Sequence, residues 1–91
     1  MKVSDFIVKY LSTKTDKVFG GQGGSIIHIA DSIDRSNKIK FIPGQNEQAS
    51  SIAADAYHRV SGKLGVCIAT SGPGVLNLLQ GMACSYFDSI P

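Results

Sequence analysis

Apolar positions along this chain alternate between helical spacing and short continuous runs. Val3, Phe6, Ile7, Tyr10 and Leu11 form one helical stripe, with Ser4 placed to cap its start. Residues 12–17 are polar turn material. Val18-Phe19 then opens a short apolar strand that runs into Gly20-Gly21-Gln22-Gly23-Gly24. Ile26, Ile29, Ala30 and Ile33 give a second helical face, followed by an expected loop over 34–38. Ile39 to Ile42 reads as a second strand, ended by Pro43-Gly44. Asn46 can cap the next helix, whose stripe is Ala49, Ile52, Ala53, Ala56, Tyr57 and Val60, with Gly62 closing it. The run Leu64-Gly65-Val66-Cys67-Ile68-Ala69 predicts a buried third strand, which leads into Thr70-Ser71-Gly72-Pro73-Gly74. Beyond that turn, Val75, Leu78, Leu79, Met82, Ala83 and Tyr86 predict a last amphipathic helix.

A helix followed by three strand-and-helix units predicts an α/β fold, a three-layer arrangement of a parallel sheet with helices on both faces. The near-continuous apolar third strand agrees, because parallel strands are buried on both sides. Right-handed crossovers bring the carboxyl ends of parallel strands to one edge. The glycine cluster, Glu47 and the Thr70 turn each follow a strand, so they are expected at that edge. With strand order 2-1-3, the crevice beside the first strand becomes a ligand site.

Composition narrows the classes. Ninety-one residues with 43% apolar content suit one small domain, and a net charge of +2 is unremarkable. No basic block is interleaved with aromatics, so nucleic acid is not an expected partner. Asp5 and Lys9 interrupt the first apolar stretch, and no run is long enough to span a membrane. A cytoplasmic protein is the expectation. Cys67 and Cys84, one in a strand and one on a helix, read as free thiols.

Individual motifs leave alternatives open. The glycine cluster fails the dinucleotide fingerprint, since Ile26 stands where a third glycine is required after Gly21 and Gly23. It is either a flexible turn or a place of close backbone approach to a ligand. Glu47, in the first turn of its helix, either complements the helix dipole or does chemistry. Ser71 lacks the nucleophile-elbow pattern, because Ala69 precedes Thr70. His28 and His58 have no second ligand at metal spacing, so no metal site is expected. Asn77 is a local hydrogen-bonder or a ligand contact.

Taken together, Asn46-Glu47-Gln48-Ala49, Ala54-Asp55-Ala56-Tyr57-His58-Arg59, Gly62-Lys63-Leu64-Gly65-Val66, Thr70-Ser71-Gly72-Pro73-Gly74, Asn77, Gly81 and Asp88-Ser89-Ile90-Pro91 carry a resemblance. They resemble the pyrimidine-binding N-terminal domain of thiamine-diphosphate-dependent enzymes, nearest the acetolactate synthase group, over essentially the whole chain. The resemblance implies part of a thiamine-diphosphate-binding fold and a place in a 2-oxo acid decarboxylase or carboligase. It implies that Glu47 hydrogen-bonds ring nitrogen N1′ of the cofactor and activates it. Gly72, Pro73, Gly74 and Asn77 would pack beside the pyrimidine, and Gly21, Gln22, Gly23 and Thr70 would border the substrate. Asn46 stands where the family commonly has histidine and Gln22 where proline is usual, which points toward another 2-oxo acid.

The pattern breaks off before the diphosphate-binding domain, so the chain is expected to be a truncated part of the pyrimidine-binding domain. A second subunit or the diphosphate-binding domain would complete the site, in a homo-oligomer. Magnesium is expected only through that missing domain, and a flavin in a middle domain is compatible with the family. The other expectation is a non-catalytic module that binds a partner through its exposed sheet edge.

Overall fold

Strand β1 (Lys17–Gly20) lies between β2 (Lys40–Pro43) and β3 (Cys67–Ile68) and runs parallel to both, giving the order 2-1-3. The structure is a computed structural model and describes residues 1–21 and 23–91. Val18 pairs with Phe41, and Phe19 pairs with Ile42 on one side and Cys67 on the other. The helices are α1 (Val3–Leu11), α2 (Ile27–Arg35, entered through a single 3-10 turn at Gly24–Ile26), α3 (Glu47–Ser61) and α4 (Pro73–Phe87). Helix α2 carries the chain from β1 outward to β2, whereas α3 carries it back across β1 to β3. Right-handed crossovers in opposite directions place those helices on opposite faces. The result is three layers, as the alternation of patterns predicts.

The main core lies on the α1/α2 side. Val8, Val18, Ile33 and Ile39 are buried there, with Leu11, Ile29, Phe41, Val66 and Ile68 packed around them. On the other side Phe19 meets Tyr57 of α3 at 5.7 Å between ring centroids. The Tyr57 hydroxyl donates to Asp16, just before β1, which also pairs with Lys63 at 3.1 Å. These contacts pin the C-terminal end of α3 to the start of the central strand.

Several expectations change. Ser4 is not the cap of α1: Lys2 occupies that position, and Ser4 lies inside the helix, buried, with its hydroxyl 2.9 Å from that of Ser32. Small residues face each other here because α1 stacks closely on α2. The stripe residues Val3, Phe6 and Tyr10 therefore point outward, Val3 being 76% exposed. The loop expected over 34–38 begins later, since α2 continues to Arg35, whose guanidinium holds Asp31 and Asp5 at 3.0 and 2.7 Å.

The third strand is shorter and less buried than its apolar run suggests. Only Cys67–Ile68 pairs, on one side, and both residues are half-buried. Upstream, the Leu64 amide donates to Lys14 O, and a side chain at Gly65 would run into the Ala54 carbonyl of α3. That segment hugs the helix instead of extending the ladder. Val66 O still accepts from Phe19 N at 2.9 Å.

The third and fourth helices also bury a face other than the large apolar stripe. Small residues are buried on both helices, Ser50, Ser51 and Ala54 on α3 and Gly74 and Gly81 with Leu78 on α4; Ser51 meets Gly81, while Ser50 and Ala54 lie against Gly44 and Gly65. A Cβ on Gly81 would sit 2.6 Å from Ser51 Cβ and 3.0 Å from the Ile52 amide nitrogen, so the backbones approach as closely as glycine permits. Ile52, Val60, Leu79, Met82 and Tyr86 remain exposed, Val60 by 89%.

The charge clusters predict acid sensitivity. Hydrogen bonds from the Ser32 hydroxyl and then Arg35 hold the Asp5 carboxyl at about 2, against an ordinary 3.8. The Tyr57 hydroxyl and then Lys63 hold Asp16 well below the usual range. Folded values depressed below unfolded ones contribute stability that is present at neutral pH and is lost as pH falls. The urea midpoint is expected to drop as pH falls from about 4 to about 2, with Asp5→Asn making the fall shallower across that window. An unchanged slope in Asp5→Asn would show that the Ser32–Asp5–Arg35 cluster contributes nothing.

Candidate functional site

Two helix starts meet at the carboxyl edge of the sheet, and local sequence fixes both. Asn46 Oδ1 accepts from the Ala49 amide at 2.8 Å, so α3 begins at Glu47. At α4, Gly72 adopts φ 81°, which an L side chain rarely tolerates, and Pro73 follows at the first helical position. Asn77 falls one turn further along α4. Its Nδ2 donates to Glu47 Oε1 at 2.9 Å, joining residues thirty positions apart.

The other carboxylate oxygen points elsewhere. Glu47 Oε2 is 3.7 Å from where a Cβ on Gly21 would lie and 3.6 Å from where one on Gly74 would lie. It thus faces a gap kept open by two absent side chains. Glu47, Thr70, Pro73, Gly74, Leu76 and Asn77 line an open groove of about 650 Å³ around it. The hydrogen bond from Asn77, and then one from the Glu47 backbone amide, hold the carboxyl below its ordinary range. Glu47 is the one charged side chain among the described residues lining this groove.

The glycine turn joins the same edge through Thr70. A Cβ on Gly23 would run into the Thr70 side chain, which only glycine avoids. Ser25 then bridges the two loops: its hydroxyl is 2.8 Å from Thr70 Oγ1 and accepts from the Ser71 amide at 3.1 Å. Sequence reasoning passes over Ser25; its one signal is a hydroxyl directly after the glycines, able to answer the hydroxyls of Thr70-Ser71. On the far side of the glycine turn, Gly21, Gly23, Gly24, Ile26, Ile27, Ala30, Asp34 and Phe41 border a mostly apolar cleft of about 440 Å³. Gln22, expected on the substrate side, lies outside the described residues.

The structure therefore brings together Glu47, Asn77, Gly74, Pro73, Thr70, Gly21 and Gly23, with Gly72 forming the turn that orients them. Both histidines stand apart from the groove's lining: His28 is exposed on α2, and His58 Nδ1 is 2.7 Å from Lys63 O. Among the described residues no three His, Cys, Asp or Glu side chains lie close enough to hold a metal ion, and no helix is long and apolar enough to cross a membrane. Burial pushes the Cys67 thiol up, which disfavours the nucleophilic thiolate.

Comparison with known proteins gives the family. The family model described as "Thiamine pyrophosphate enzyme, N-terminal TPP binding domain" matches residues 1–91. Acetolactate synthase 2, chloroplastic, of Brassica napus is 44% identical over 89 residues, covering 97% of this chain and 14% of the relative. Acetolactate synthase of Arthrospira platensis is 47% identical over 81% of this chain and 13% of its own length. A probable acetolactate synthase large subunit of Methanococcus aeolicus is 41% identical, over 100% of this chain and 15% of its own. The chain thus spans about one-seventh of the length of these curated relatives. The protein belongs to the family of thiamine pyrophosphate enzymes, as their N-terminal, thiamine-pyrophosphate-binding domain.

Proposed function

We propose that this chain holds the aminopyrimidine of thiamine diphosphate in an acetolactate synthase-like enzyme that decarboxylates or joins 2-oxo acids, with Glu47 activating the cofactor. The observation that carries this reading is the Glu47 carboxylate: one oxygen is fastened by Asn77 and the other faces the gap between Gly21 and Gly74. A flat ring can enter that gap because neither glycine has a side chain to exclude it. When bound, thiamine diphosphate supplies a carbon nucleophile for the 2-oxo acid carbonyl and a sink for the electron pair left by decarboxylation. Glu47 Oε2 would share a proton with ring nitrogen N1′. Pro73 and Gly74 would wall the ring, and the Gly21–Gly23 and Thr70 side would face the substrate.

The rest of the site would come from elsewhere. Magnesium and the donors to the diphosphate would come from a diphosphate-binding domain, of this protein or of a second subunit. A homo-oligomer in which that domain docks is supported by the exposed Ile52, Val60, Leu79, Met82 and Tyr86 on α3 and α4, since large apolar areas left in water mark contact surfaces. A flavin would reside in a further domain. The free thiols Cys67 and Cys84 suit a reducing compartment such as the cytoplasm.

The direct test is calorimetric titration with thiamine diphosphate and magnesium, together with consumption of pyruvate and other 2-oxo acids, in the complete assembled protein. Cofactor-dependent release of carbon dioxide is the expected result. A folded, assembled protein that binds no thiamine diphosphate and consumes no 2-oxo acid would overturn the reading, and would favour a module that serves only to bind a partner.

A further inference from the structure

A carboxylate has two chemically equal oxygens and a soft terminal torsion. At a helix start it could offer either oxygen to a ligand, in a range of orientations. Here the choice is made by a residue on another helix. Asn77 Nδ2, donating across from α4 at 2.9 Å, occupies Oε1 and leaves Oε2 at the glycine-lined gap. We propose that Asn77 is a positioning residue for Glu47, fixing which oxygen is presented and which one takes up a proton. The inference deepens the proposed function and rests on Glu47 being the cofactor-activating group.

The chemistry follows from donor and acceptor counting. A hydroxyl oxygen of a carboxylic acid is a poorer acceptor than its carbonyl oxygen, so a proton on Oε1 would weaken the bond from the Asn77 N–H. Protonation at Oε2 keeps the Asn77 bond intact. Asn77 therefore directs the shared proton toward the gap, where Gly21 and Gly74 leave room for a partner atom. The same bond favours the ionised carboxylate in the free protein and makes Glu47 a stronger acid. The remaining groove residues, Thr70, Pro73, Gly74 and Leu76, carry no charge, so Asn77 dominates this tuning.

Glu47 is the single glutamate of the chain, so carboxyl-13C-labelled glutamate gives one side-chain signal to follow. In Asn77→Ala the titration midpoint of that signal is expected to move up. In the isosteric Asn77→Asp, which exchanges the donor for a like charge, it should move up further. An unshifted Glu47 midpoint in both variants, with backbone amide spectra showing the fold retained, overturns the proposal while leaving the cofactor reading untouched. In the assembled enzyme, Asn77→Ala should lower kcat roughly tenfold and move its pH profile, with cofactor affinity little changed. Weakened thiamine diphosphate binding with an unmoved pH profile would instead make Asn77 a direct cofactor contact, and overturns the proposal. Failure of the cofactor reading is separate: it would appear as no thiamine-diphosphate-dependent activity in the unsubstituted protein.

Discussion

Glu47→Gln is expected to lower turnover roughly 10²-fold or more in the assembled enzyme while leaving the fold intact. The amide keeps the length of the side chain and an oxygen that can still accept from Asn77 Nδ2. Asn46 continues to cap α3 through the Ala49 amide, so the helix start survives. What disappears is the group that can share a proton at the glycine-lined gap. An acid serving only to complement the helix dipole would cost a few tenths to about 1 kcal/mol of stability and nothing in rate. Hydrogen–deuterium exchange at the reactive carbon of bound thiamine diphosphate separates the two roles, because it reads activation before any substrate arrives. Near-normal exchange in a correctly assembled Glu47→Gln enzyme would sink the catalytic assignment.

Gly81→Val should be the most damaging single substitution on the α3/α4 seam. Its first side-chain atom would already overlap Ser51 and press on the backbone amide of Ile52, neither of which is the free end of a flexible chain. Overpacking of this kind costs about 1–3 kcal/mol, and a β-branched residue adds to it. In a domain of this size each kcal/mol lowers Tm by about 4–8 °C. Gly24→Ala is the control: nothing lies within 4 Å of the added methyl, so its midpoint should stay within about 0.5 kcal/mol of the parent. Equal stability of the two variants would mean that the helices can separate at no cost. Because Asn77 sits one turn before Gly81, Gly81→Val should also disturb the Glu47 titration.

The alternation of strands and helices, the Asn46 cap and the Gly62 stop were legible in the sequence, since each is a local signal, whereas the order 2-1-3 entered only as a condition, common in doubly wound folds, that the structure meets. The faces of the helices were not. Periodicity marks where large apolar residues cluster, and in α3 and α4 much of that stripe (Ile52, Val60, Leu79, Met82, Tyr86) stands in water while Ser51 and Gly81 form the closest contact. A seam of small residues has no hydropathy signature, so it is read as surface. Ser4 misled for the same reason: a hydroxyl near a helix start suggests a cap, but this one is buried against Ser32. The length of β3 was overestimated because an apolar run does not tell whether its backbone bonds a strand or hugs a helix. Around the site, the convergence of the loops followed from topology, whereas the Ser25 bridge and the Asn77–Glu47 bond needed side-chain positions thirty or more residues apart.

The hydroxyls of Ser50 and Ser51 are turned back onto their own helix, donating to Asn46 O at 3.2 Å and Gln48 O at 3.0 Å. Ser51 asks nothing of α4 and meets Gly81 by bulk alone, as Ser50 meets Gly44, so this stretch of α3 is a ridge of fixed volume set between the Glu47–Asn77 and Asp55–Ser85 hydrogen bonds. Alanine or cysteine at these places would keep that bulk, while one extra methyl, as in threonine, would not. Drift along this ridge in related chains should therefore look chemically careless and sterically strict. A profile of allowed volumes, more than any profile of residue types, would mark the two helices that hold Glu47 and Asn77 in register.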